Sequence, residues 1–182
     1  IDVKKPQKIE NKTWLKTGKS GSVVLVLPDR TQTKVTRNST LFLEKKPKKK
    51  QTINLKLGKI WAKTNKIPVK ISLKSPNAVA SIRGTEWVSE VKADGSSVIA
   101  LLEGKVSIAS NNNKNIDLNS GSVANIDEKG SMSQTKIINT GKFLQFLYNY
   151  QIEPYAYIPK KELSLFFKNK KNKIFSNESG LG

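Results

Sequence analysis

From about residue 20 to residue 139 the apolar positions recur every second residue, the spacing of an extended chain with one buried face. Val23, Leu25 and Leu27 keep one phase, Thr31 to Thr36 alternates Thr with other residues, and Ile53, Leu55 and Leu57 sit between polar neighbours. Further short runs follow at 60–62, 69–73, 78–82, 87–91, 98–102, 106–109, 116–118, 123–126 and 135–138. Such runs, rich in Val, Ile and Thr, predict strands. Turn signals separate them at Pro28-Asp29, Asp94-Gly95, Glu103-Gly104, Ser120-Gly121 and Lys129-Gly130. Asp94-Gly95 is the strongest, and predicts a two-residue type I′ hairpin.

A short pattern repeats. Leu57-Gly58-Lys59-Ile60 returns as Leu102-Glu103-Gly104-Lys105-Val106, and more weakly as Leu118-Asn119-Ser120-Gly121-Ser122-Val123. Each copy is an apolar residue, a glycine and a new alternating run, so Gly58, Gly104 and Gly121 are read as corners between strands. The fold expected is all-β, either solenoid-like or a two-sheet sandwich of many short strands.

Past residue 140 the period lengthens. Phe143, Leu144, Phe146, Leu147 and Tyr150 share one face of a helix, and a second short helix is expected after Pro159 with Leu163, Phe166 and Phe167 on one side. One or two C-terminal helices should therefore pack on or beside the β-domain. The organisation expected is an extension at 1–13, an all-β domain at 14–139, an aromatic-rich segment at 140–168 and a disordered tail at 169–182. Phe143, Phe146, Leu147, Tyr150, Phe166 and Phe167 are the candidate partner-binding residues of that segment, unless they pack onto the β-domain.

Composition narrows the chemistry. The 182 residues contain no Cys and no His, which removes thiol nucleophiles, imidazole bases and the common zinc sites. Glu86 and Glu90 share a strand face but lie too far apart for a retaining glycosidase pair. No catalytic residue, metal or cofactor is expected. The longest aliphatic runs are strand-sized, so no segment of this chain is expected to cross a bilayer as a helix.

The net charge is +19, and all but Arg30, Arg37 and Arg83 of the 33 basic residues are lysines. Sequence-specific nucleic-acid binding is disfavoured, because base readout favours the guanidinium fork. Residues 1–60 carry 16 of the basic groups against 4 acidic ones, and the densest run is Lys45, Lys46, Lys48, Lys49 and Lys50 around Pro47. These lysines are expected to form a solvated loop, which is also the candidate site for an anionic glycan, peptidoglycan or lipid surface. Trp14, Trp61 and Trp87 offer a possible sugar-stacking platform, although alternation places Trp87 in the core.

The stretch Ile71 to Val91 followed by Leu102-Glu103-Gly104-Lys105-Val106 resembles the FecR domain of bacterial envelope proteins. The resemblance rests on Ser75-Pro76, the small residues 78–80, Arg83-Gly84-Thr85, Trp87 and the Leu-Glu-Gly corner. It spans about residues 14–130. Arg83, Gly84 and Thr85 are read as structural: the guanidinium folds back onto free carbonyls at a corner, so that Arg83→Ala should lower stability markedly. The resemblance implies a noncatalytic interaction module, scaffold or signalling component, exported to the periplasm or cell envelope after signal-peptide removal, with other envelope proteins as partners. It also admits the periplasmic part of a sigma-factor regulator that senses an outer-membrane receptor.

Overall fold

In the computed structural model, residues 8–27, 30–46, 50–64, 71–136 and 174–177 are described. They form fourteen strands and no helix: β1 Thr13–Lys16, β2 Ser22–Val26, β3 Gln32–Val35, β4 Thr40–Lys46, β5 Lys50–Lys63, β6 Ile71–Lys74, β7 Ala78–Ile82, β8 Glu86–Val91, β9 Ser97–Glu103, β10 Lys105–Ser110, β11 Asn115–Asn119, β12 Ser122–Ile126, β13 Met132–Lys136 and β14 Ile174–Asn177. The helices expected at 140–168 lie outside the described residues. So do most residues of the expected tail, although Ile174–Asn177 within it pairs antiparallel with β2.

The strands make two layers that share one strand. Sheet A runs β14-β2-β3-β5-β8-β9-β12-β13, and sheet B runs β1-β4-β5-β6-β7-β10-β11. The first half of β5 belongs to sheet B, pairing with β4 and β6, while Gly58–Lys63 pair with β8 in sheet A. Every ladder is antiparallel except β5·β6. A solenoid of the kind the repeat suggested would stack its rungs in parallel, so the architecture is the two-sheet alternative. Glycine corners and period-two alternation are common to both, which is why the sequence did not separate them.

Alternation sorts the side chains. Leu15, Leu25, Leu41, Leu55, Ile60, Leu73, Ala80, Trp87, Leu101, Ile108 and Leu118 face the space between the layers and form one buried cluster. Non-local ladders and this shared core together hold the layers, since isolated hairpins are marginal in water.

The chain traces the same course twice. β1 in sheet B turns a corner into β2 in sheet A, and a hairpin leads to β3. A second corner then returns to β4 in sheet B, and β5 follows by a hairpin before bending into sheet A. β7, β8, β9, β10, β11 and β12 repeat that path. The ladders β1·β4, β2·β3, β3·β5 and β4·β5 correspond to β7·β10, β8·β9, β9·β12 and β10·β11. The two courses join through β5·β8 in sheet A, with β6 inserted between them in sheet B.

The hairpins follow one rule. In the loops beginning at Leu27, Lys92, Ser110 and Asp127, the first N–H donates to the fifth C=O and the fourth N–H donates to the first C=O. The fourth residues, Arg30, Gly95, Asn113 and Gly130, have φ of 66°, 85°, 58° and 82°. In the loops at Lys92, Ser110 and Asp127 this is a type I turn closed by a left-handed residue, not the type I′ turn expected at Asp94-Gly95. Asp94 keeps negative φ and instead accepts hydrogen bonds at Oδ1 from the Ser96 backbone N–H and hydroxyl.

Candidate interaction surfaces

The corner residues stack in two columns. In the first, the Thr17 hydroxyl donates to the Thr36 carbonyl at 2.6 Å and accepts from the Ser39 N–H at 2.8 Å. Ser39 in turn accepts the Lys59 N–H at 3.0 Å and lies against Gly58, whose φ is 93°. A Cβ on Gly58 would overlap the Ser39 side chain and its Cα, so this corner requires glycine on two counts.

The second column lies at the far end of sheet A. There the Thr64 hydroxyl donates to the Thr85 carbonyl and accepts the Thr85 N–H. Thr85 is buried against Gly104, where an added Cβ would come within 2.6 Å of Thr85 Cγ2 and 3.0 Å of the Gly84 carbonyl. Ser120 Oγ accepts the Gly104 N–H and donates to the Gly104 carbonyl. Gly84 and Gly121 turn these corners at φ of 60° and 77°, and space around Gly121 is open. Arg83 is exposed, and none of the described residues hydrogen-bonds or ion-pairs with it. The fold-back contact expected of its guanidinium is not seen among the described residues, where the Thr64 hydroxyl bonds the corner backbone at Thr85.

Sheet A has a second apolar side, facing away from the core. One row across it reads Val24, Lys34, Trp61, Val88 and Ala100, all buried. Trp61 donates its Nε1–H to Glu86 Oε1 at 3.1 Å, and Lys63 Nζ lies 2.9 Å from Glu86 Oε2. On the next row Lys59 Nζ lies 3.4 Å from Glu90 Oε1. Burial withdraws water from the Lys59 ammonium and lowers its pKa from 10.5 to about 8, and the Glu90 charge recovers only part of that shift. Glu86 and Glu90 are thus engaged with lysines and an indole. The Asp94 and Asp127 carboxyls are held below the usual carboxylate range, chiefly by hydrogen bonds from Ser96 and Ser131 respectively, and both close hairpins.

Sheet B presents the opposite character. Trp14 is 59% exposed and its ring sits on Phe42, centroids 5.1 Å apart and planes tilted by 47°. Of the three tryptophans weighed as a platform, Trp61 and Trp87 are buried and only Trp14 is open. Lys45 and Lys46 belong to β4 and Lys50 to β5, with Lys46 opposite Lys50, so these three of the five expected loop lysines lie in strands. Lys48 and Lys49 lie outside the described residues, as do Phe143, Phe146, Leu147, Tyr150, Phe166 and Phe167. Among the described residues no group of three acidic side chains is placed to hold a metal ion, and no helix is long and apolar enough to cross a membrane.

The FecR protein family model matches residues 13–107, from the start of β1 into β10. The chain belongs to the FecR protein family. Two crystal structures of a candidate anti-sigma factor from Parabacteroides distasonis ATCC 8503 share its fold, with TM-scores of 0.62 and 0.61 at 12% identity. Each alignment covers 73% of this chain, which spans only 65% and 64% of those two proteins. No curated protein sequence is similar enough to add to these comparisons.

The corner hydroxyls Thr17, Ser39, Thr64 and Ser120 and the Trp14–Phe42 pair were missed by sequence reasoning. A usable signal existed for the first group, since Ser or Thr flanks nearly every corner. For the aromatic pair there was none, because register between β1 and β4 is set by tertiary pairing.

Proposed function

We propose that this FecR-family chain is a noncatalytic recognition module of a bacterial envelope signalling system, acting in sigma-factor regulation through protein contacts. Membership of the family from β1 into β10 carries this reading, and the shared fold of the candidate anti-sigma factor supports it. The geometry is compatible: Glu86 and Glu90 are engaged with Lys63 and Lys59, and the corners fix a two-layer platform. Its charge of +19 accelerates encounter with acidic partners.

The test is a photo-crosslinker placed at exposed positions of both sheets in cells, with adducts identified by mass spectrometry and extracytoplasmic sigma-factor transcription followed in a deletion strain. Adducts with envelope proteins and altered transcription are expected. Unchanged transcription together with no protein adduct defeats the reading. Fractionation of the same cells should recover the chain from the periplasm or envelope.

A further inference from the structure

We infer that the outer side of sheet B is a binding face for an acidic polysaccharide, with Trp14 as its stacking residue. Ladder pairing places one residue from each of seven strands in a straight row: Trp14, Phe42, Asn54, Lys74, Val79, Ala109 and Asn115. The core cluster takes their neighbours Leu15, Leu41, Leu55, Leu73, Ala80 and Ile108, so this row faces outward. It crosses six strand gaps, about 29 Å at roughly 4.8 Å each. That length accommodates several sugar units laid across the strands.

Three features select this occupant. An indole that is 59% exposed, yet tilted onto Phe42, is fixed in orientation while its ring stays available, which suits stacking on a sugar ring. The rest of the row is low or polar: Val79 and Ala109 do not obstruct, and the Asn54 and Asn115 amides both donate and accept. Charge supplies the sign. Lys16, Lys56, Lys74 and Lys105 lie on this side; among the described strand residues its acids are Glu44, which has an interaction partner, and Asp117, which accepts the Ser107 hydroxyl at 2.6 Å. A membrane surface would call for a cluster of exposed apolar side chains. Among the described residues only Trp14 and Leu57 are large, hydrophobic and exposed. The inference stands apart from the regulatory reading, because a protein partner could occupy another surface.

The full chain is titrated by calorimetry with polygalacturonate and sedimented with purified peptidoglycan sacculi. Neutral dextran, phosphatidylglycerol vesicles and single-stranded DNA serve as competitors. Binding to polygalacturonate or to sacculi is expected, the first marking a free acidic polymer and the second the wall, and it should weaken as salt rises. Trp14→Ala should lower affinity by roughly tenfold, the equivalent of about 1.4 kcal/mol. Lys74→Ala should weaken it, while Lys129→Ala, which removes the same charge at the β12–β13 turn, should not. Circular dichroism confirms that each variant is folded. The inference is overturned by binding to neither acidic polymer, by dextran, vesicles or DNA outcompeting them, by an unchanged Trp14→Ala, or by equal losses from the two lysine variants.

Discussion

The two passes of the chain, β1–β5 and β7–β12, build the same ladders with different tightness at their corners. Gly58 and Gly121 occupy corresponding bends, both with positive φ. At the first, Ser39 fills the space a side chain would need; at the second, nothing lies within 4 Å. The following residues differ likewise: Lys59 is a buried ammonium paired with Glu90, whereas Ser122 is a small buried hydroxyl. Thr17 opens one corner with hydrogen bonds to two backbone groups, while Arg83 opens its counterpart unpaired among the described residues. Topology at this bend is thus satisfied by a positive-φ residue alone, and the interlocking around Gly58 is an additional source of stability.

The widest separation is expected at the paired glycines. Gly58→Ala should cost about 3–5 kcal/mol, from backbone strain plus collision with Ser39, and Gly121→Ala about 1 kcal/mol from strain alone. Urea denaturation of both variants measures the gap, and equal losses would break the comparison. Next come the corner hydroxyls. Ser39→Ala leaves the buried Lys59 N–H without its acceptor and should cost about 1–3 kcal/mol, whereas exposed Ser120→Ala should cost about 0.5–1 kcal/mol.

Lys59 gives a pH test with a definite sign. Its folded pKa of about 8 lies below the ordinary 10.5, so the unfolded chain binds the proton more readily between those values. The cost of charging Lys59 is fully present below pH 8 and lifts as the pH rises through that window. Thermal melts of the native chain and Lys59→Met should show the native chain gaining relative to the variant from pH 8 to 10.5. A constant difference would place Lys59 in water. The smallest effect is expected at Arg83→Ala, about 0.5 kcal/mol or less. A loss as large as that of Gly58→Ala would restore the guanidinium to a structural role.

Period-two alternation made most strands legible, and the family resemblance located the domain. The sandwich is legible only as one of two alternatives, because in sequence Gly58 reads as a corner between two strands. It is a bend inside one: β5 stays hydrogen-bonded on both sides of the glycine. The internal echo was likewise matched by local pattern. In sequence Gly58 aligns best with Gly104, yet its structural counterpart is Gly121, the weaker match. Partners on other strands decide that equivalence, and a single chain's pattern does not contain them. Candidate surfaces were less legible still. Exposure of Trp14 and burial of Trp61 depend on which side of a sheet lies outward, and alternation gives the phase without the sign.

One strand threading both layers has a mechanical corollary. Tension applied along β5 is met in shear by β4 and β6 on one side of Gly58 and by β3 and β8 on the other. Neither layer can be peeled off while that strand holds, so a tug at either end is carried by the molecule as a whole.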